Sequence, residues 1–596
     1  IMKQYYIFFV LIFPLFVNAQ VDLSVSPSPD GEDSYVYVNN EILFVTKGIN
    51  LEKNNNSSTE ASIYLRSKAQ LLQGDDIDNS GDGYLSVFQE GTSNAFDYNY
   101  WGMPVVTTGK KLNQILYEPI DKTASRPVQI TSNLNGSANP LTISSRWIYK
   151  FSGLGYNSWQ HIGNNINQLA AGLGFSMKGT NGTDNTTIDG VKNNPGSAQR
   201  YDFRGIPNNG NITLNIDPNK SILVGNPYPS AIDLDAFLKD PDNDITGIAY
   251  FWDSEANGKS HYLKDYEGGY GAYSPGAGGY VPAIFKKYAN QSGNVIGNAG
   301  ESGAKYNVKY LPIGAGFNVI GNATGGTVTF KNSHRIYDPN TAIKLREKSA
   351  ETGSTNSSVI IKNDEAVKIR LNVNLNDTYT RQLLVAFNEN ATVGPDKAMD
   401  APMFGKLASD ASFNIEEKEY MINVLPFDRS KMIPLNIVTV SEMEVDFSID
   451  TTYFLDNENI YLYDSENNRY TDIKKEHYKL QLNGDFKDRF FIAFENDQPT
   501  EEEKIQETKE EETFVASIDI FQNNNEGRLQ IVVPKDVKVK HVAVYNLNAG
   551  AVINQDISPL EKELSFSTTN LMDAIYIVQI KTADNRTVTK KITVKN

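Results

Sequence analysis

The sequence contains no cysteine. That excludes disulfides, thiolate zinc sites, iron–sulfur clusters, cysteine nucleophiles and a lipidated N-terminal cysteine. Histidine is scarce as well. The five present, His161, His261, His334, His477 and His541, include no pair at metal-ligand spacing and no H-E-x-x-H motif. Basic residues are outnumbered, 55 Lys and Arg against 72 Asp and Glu, for a net charge of −17. Proteins grip a phosphate backbone by displacing its counterions with Lys and Arg, so this balance argues against nucleic acid as a partner. It argues equally against broad attraction to anionic lipid. The chain has no phosphate-cradling G-x-x-x-x-G-K-[ST] loop, no G-x-G-x-x-G opening a helix and no G-x-S-x-G nucleophile elbow. Ala272-Tyr273-Ser274-Pro275-Gly276 lacks the first glycine of that elbow and lies in a Tyr/Gly-rich run, Gly268 to Tyr280, that reads as a flexible loop. Beyond Gln20 no apolar run approaches the ~20 residues that a membrane-spanning helix needs.

What is present is length and alternation. At roughly 100–200 residues per domain, 596 residues predict about three to five domains. Hydrophobic residues make up 40% before the 44 glycines are added, enough for several cores. Residues 1–19 read as a signal peptide: Lys3, an apolar stretch from Tyr5 to Phe16, and Val17-Asn18-Ala19 ahead of an expected cleavage before Gln20. Val367, Ile369, Leu371, Val373 and Leu375 interleave with polar residues, which predicts a half-buried strand with one wet face. Tyr478 to Asn483 and Arg489 to Phe494, separated by Gly484-Asp485, read as a hairpin. One short helix is predicted at Ile232 to Leu238, with Ser230 as its N-cap. The fold class expected is all-β: an antiparallel sandwich or jelly-roll body at 20–340, a second sandwich at 341–497, and a small immunoglobulin-like sandwich at 514–596. Between the last two, residues 498–513 hold seven Glu and two Lys and read as an extended acidic linker. A G-x-G-F-x-Φ-x-G pattern occurs at Gly172 to Gly179 and at Gly314 to Gly321, and each copy is followed by a further strand, which points to an internal duplication.

Candidate binding residues follow from side-chain chemistry. Asp76, Asp78, Ser80 and Asp82 crowd oxygen ligands onto one loop, as calcium requires. Gln89 stands where an EF-hand needs glutamate, so the expected site is a looser β-loop site. Asp240, Asp242 and Asp244 form a second cation candidate. Trp101 and Trp252 lie near other aromatics in loop-rich segments and are candidates for stacking on sugar rings.

The C-terminal residues carry a family resemblance. Val542, Val544, Tyr545 and Asn546 with Gly550, then Tyr576, Ile577 and Val578, then Lys590, Lys591, Ile592 and Val594, resemble the type A C-terminal sorting domain of the type IX secretion system. Ala549 and Ala574 depart from its usual pattern. The resemblance implies export across both membranes to the cell surface or medium. It implies binding of residues 514–596 by the translocon pore and an outer-membrane shuttle protein, and removal of the module by a surface sorting peptidase. Asn99 to Val105, Val224 to Asp233 and Gly314 to Phe317 resemble large, mostly uncharacterised surface and adhesin-like proteins exported by the same system. The body is therefore expected to be a non-enzymatic adhesin or surface-structure component, with glycans or matrix as partners. The alternatives are a secreted polysaccharide-active enzyme using Asp/Glu pairs and a passive coat or filament subunit.

Overall fold

Alternating apolar residues become strands throughout the chain. The computed structural model describes residues 21–92, 94–255, 259–288, 295–303, 308–340, 366–496, 501–558 and 563–596. The expected signal peptide and the first part of the expected second domain, 341–365, lie outside the described residues. The protein is all-β, with α-helices among the described residues only at α1 (Leu234–Lys239) and α2 (Glu501–Ser517).

The first strands pair in parallel. They are β1 (Val21–Val25), β2 (Val36–Asn39), β3 (Ile42–Val45), β4 (Gly48–Leu51), β5 (Ile63–Arg66), β6 (Gln70–Gln73), β7 (Ser80–Gly81) and β8 (Leu85–Thr92). Sheets run β1-β4-β7, β2-β5-β8 and β3-β6, so the chain winds as a short three-sided solenoid. Similar residues stack between turns: Val36 on Ile63, Tyr37 on Tyr64 and Val38 on Leu65. This segment is not the sandwich expected; side chains alternate with the same period in both kinds of pairing, so the sequence pattern does not distinguish them. β8 then pairs antiparallel with Ala198–Gly205 and joins the solenoid to the rest of the body.

An eleven-stranded sheet follows, and the repeated motifs meet at its centre. Leu173 of the first copy bridges Val224, and Ala315 of the second bridges Trp101. The strands after each copy, Ile212–Ile216 and Gly326–Phe330, pair with each other. Trp101-Gly102 and Val224-Gly225 cross backbone against backbone. A Cβ on Gly225 would lie 2.4 Å from the Gly102 Cα, and one on Gly102 would lie 2.6 Å from the Gly225 carbonyl carbon.

Residues 367–494 form a nine-stranded sheet over a second core. The wet face expected for Val367–Leu375 is largely covered. Lys368 and Arg370 are buried, and their side chains donate to the carbonyls of Gly278 and Tyr280 at 2.8 and 2.9 Å. The Gly268–Tyr280 run is correspondingly not a loop. Strands Gly268–Ser274 and Gly279–Val281 lie between the cores, and Ser274 is fully buried. Strand Ala249–Ser254 serves both halves, with Phe251 in the first core and Tyr250 in the second. The expected hairpin at 478–494 is one continuous strand, Tyr478–Ala493, running beside Ile433–Tyr453. Gly484, at φ 139°, sits beside a register shift and bends the strand instead of reversing it.

The short helix is α1, capped by Asp233, whose carboxylate accepts from the Ala236 N–H at 3.1 Å. Ser230 is buried instead and accepts from Arg335. The acidic segment is α2 and not extended, because Glu and Lys are good helix formers. Gln506 bonds Glu510 one turn on, and Phe514 packs under the Arg586 guanidinium at 3.4 Å. Residues 497–596 form their own compact unit. Its sandwich has a three-stranded sheet and a four-stranded sheet around a separate core.

Gly225→Ala is expected to cost about 3 kcal/mol, because the methyl has only backbone to displace. The urea midpoint of the purified protein measures it, and an unchanged midpoint would show that the two strands can part freely.

Candidate functional site

The structure scatters the expected calcium ligands. Asp76 accepts from the Asn211 N–H at 2.9 Å, Asp82 from the Lys53 N–H at 3.2 Å, and Ser80 donates to the Asn50 side chain at 3.0 Å. Asp78 does not join them, and among the described residues no three acidic or histidine side chains gather as a cation site. The second acidic loop is occupied by the protein's own cations. Lys331 bridges Asp240 and Asp242 at 2.8 and 2.6 Å, and His334 meets Asp240 at 2.9 Å. The Lys397 ammonium takes the Asp240 and Asn243 carbonyls at 2.6 and 2.5 Å, and Asp244 accepts from the Thr327 N–H. Trp101 is fully buried against Tyr201 and Phe203 and offers no ring face to a ligand. Strand alternation is the cause: Tyr98 and Tyr100 point to one face of their strand, and Trp101 to the other.

The C-terminal motif residues divide by face. Val542, Val544, Tyr576, Val578, Ile592 and Val594 are core. Tyr545, Ile577 and Lys591 stand opposite one another as an outward row. Lys590 is in register with buried Val578, an inward position, yet it stays exposed on the edge strand. Asn546 holds the turn by accepting from the Asn548 and Gly550 N–H groups at 3.0 and 2.9 Å. Ala549 takes the left-handed conformation there, at φ 60°.

Trp252 belongs to a larger aromatic cluster on the face of the eleven-stranded sheet opposite Phe251 and the first core, a face that also packs on Phe404 through Tyr250 and Tyr270. Half-buried Trp252 lies 6.5 Å from the Tyr100 ring, 6.2 Å from Tyr266 and 5.2 Å from Tyr270. Half-buried Trp159 lies 5.6 Å from Tyr100 and 4.9 Å from Phe151. The Tyr100 and Tyr270 hydroxyls share a hydrogen bond of 2.7 Å. Exposed Leu154 and Tyr156 lie in the turn that joins the strands of Phe151 and Trp159. Flat aromatic faces with hydroxyls between them suit a ligand that is apolar on its faces and polar at its edges.

Beside this cluster lies a feature that sequence reasoning missed. The Lys178 ammonium is buried within 4.2 Å of the Trp147 ring, 4.6 Å of Tyr98 and 5.2 Å of Tyr266. It donates to His261 Nδ1 at 3.2 Å, and the His261 ring stacks on Trp147 at 4.9 Å. The His261 Nε2–H in turn donates to the Asn135 side chain. Burial lowers the Lys178 pKa to about 7, against a smaller opposing pull from Asp97. Burial, then the Lys178 charge, lowers His261 to about 4 and keeps the imidazole neutral. The one sequence signal is Lys178 standing in the first glycine-rich repeat where the second has Ile320. The sign of the pH effect follows. Between pH 7 and the ordinary lysine pKa the unfolded chain binds the extra proton, so stability rises with pH across that window. Urea unfolding at pH 7 and pH 9 should show that rise in the native protein and a smaller one in Lys178→Met. Equal slopes would place the Lys178 proton outside the fold's energetics.

Comparison with known proteins adds identity. The model of a family described as a domain of unknown function (DUF8693) matches residues 17–494, and that of the secretion system C-terminal sorting domain matches residues 519–595. No curated protein matches the chain. Among solved structures, the central fibronectin-III array of RIM-binding protein aligns at 12% identity over 38% of this chain and 87% of its own, with a TM-score of 0.11. The BSP domain of a biofilm associated protein aligns at 10% identity over 86% of this chain and 96% of its own, also with a TM-score of 0.11. Scores this low carry nothing about the fold. The C-terminal module makes the protein a substrate of the type IX secretion system, exported to the cell surface or extracellular space, and the chain belongs to the family described as a domain of unknown function (DUF8693).

Proposed function

We propose that the exported body is a non-enzymatic adhesin that binds carbohydrate on the Trp159–Tyr100–Trp252 face. The observation that carries this reading is two half-buried tryptophans set around one tyrosine on a single sheet face. Sugar rings present C–H faces to such aromatics, here the half-buried Trp159 and Trp252, while Tyr100 is buried between them and bonded to Tyr270. Delivery would run through residues 514–596, with the outward row Tyr545, Ile577 and Lys591 meeting the shuttle protein and translocon pore, since Val542, Val544, Tyr576, Val578, Ile592 and Val594 are spent on the core and Asn546 on its turn.

A glycan array with the secreted protein tests the body, run with calcium and with chelator. Saturable binding is expected, weakened about tenfold by Trp159→Ala or Trp252→Ala, a loss of ~1.4 kcal/mol each. Binding that ignores both substitutions would remove the aromatic face from the reading, and release of reducing sugar would make the body an enzyme. Deletion of residues 514–596 should leave the chain in the periplasm, measured by fractionation. Surface export of the truncated chain would show that the signal lies elsewhere.

A further inference from the structure

The solenoid begins with three free edges. Among the described residues β1, β2 and β3 each pair on one side only, with β4, β5 and β6. Backbone N–H and C=O groups on the other side are templates for pairing, and proteins ordinarily blunt such edges with lysine, proline or bulges. Here β1–β3 contain neither lysine, arginine nor proline, and their single charge, Asp22, accepts from the Lys47 N–H at 3.0 Å. The same chain guards its other edges. The edge strand Thr587–Val594 carries Lys590 at an inward position. On β3 the outer side chains are apolar too, with Phe44 59% exposed and Ile42 42%.

The far end of the solenoid is closed on two of its three sides, and the third ends in the two-residue strand β7. β8 is paired with Ala198–Gly205, the Leu71 N–H donates to the Pro229 carbonyl, and the Leu71 carbonyl accepts from Arg335. Stacking head to tail therefore has no second surface. A lone peptide strand could pair with only one of three edges arranged around a core. Another three-sided open turn could meet all of them, and this chain has one.

We propose that the β1–β3 edge is the interface for a second copy of this chain, joined head to head about a twofold axis, with β2 antiparallel to its own copy. A twofold contact puts the same patch on both sides and closes after two chains, so it yields a dimer and no filament. The Val36 N–H donates inward to the Ser62 carbonyl, so by alternation the residue 37 N–H points to the free edge. Residue 37 also lies near its own counterpart across the axis.

Sedimentation velocity of the full exported protein over a dilution series tests this. The expected result is a species of twice the chain mass at high concentration, lost in Tyr37→Lys, which sets like charges opposite each other, and in Tyr37→Pro, which removes the donor. Hydrogen exchange of the unaltered protein is the companion reading, with amide protection at 36–45 rising as concentration rises; it holds even if either variant fails to fold. A monomer at every concentration, a growing ladder of larger species, or concentration-independent protection at 36–45 would each overturn the proposal.

Discussion

Gly102 and Gly225 let two segments of the body touch backbone to backbone inside the first core. Each glycine follows a fully buried residue, Trp101 and Val224, so the side chains on either side are pinned while the crossing itself stays bare. The two glycine-rich repeats close on it from opposite sides, through Leu173 to Val224 and Ala315 to Trp101. Asn226, next along, ties the following turn by donating to the Ser230 and Pro312 carbonyls at 2.8 and 2.9 Å. Close packing of this kind leaves no room for a methyl group.

An exported chain without cysteine has to hold itself together by other means. The body does so by sharing strands between cores, so that Tyr250 and Phe251, adjacent in sequence, serve different halves. It also builds its own cations into places where an acidic protein would otherwise carry repulsion. Lys331, His334 and Lys397 engage the Asp240–Asp244 loop, and Arg381 meets Asp410 in a buried pair at 2.6 Å. Buried charges hold only when they are paired or solvated by carbonyls. Lys178 is held differently, with aromatic rings and a neutral imidazole around it and only a smaller pull from the Asp97 carboxylate. It is the most chemically unusual group beside the proposed binding face.

The sorting unit shows how a short sequence signature divides its labour. Its alternating valines and isoleucines are spent on a core, which any sandwich of this size requires. In the opposite register Tyr545, Ile577 and Lys591 form an outward row. Lys590 does a third job, keeping the last strand from pairing with a stranger.

The sequence by itself determined the all-β class, the separate C-terminal sandwich and its export role, because alternation and a contiguous motif are local properties. It placed Val367–Leu375 to the residue, since nine alternating positions leave one reading. Only the tertiary structure decided the rest. Parallel and antiparallel strands share one period, so the solenoid was invisible. Gly484-Asp485 looks the same in a turn and in a bulge until the partner strand is known. Asp76, Asp78, Ser80 and Asp82 crowd together along the chain but do not converge in space: Asp76 and Asp82 turn to separate backbone N–H groups and Ser80 to the Asn50 side chain. Trp101 and Trp252 both sit among aromatics, and only the face of the sheet that each strand presents makes one core and leaves the other half open to solvent. Trp159, Tyr100 and Trp252 come together across strands far apart in sequence, which no local pattern records.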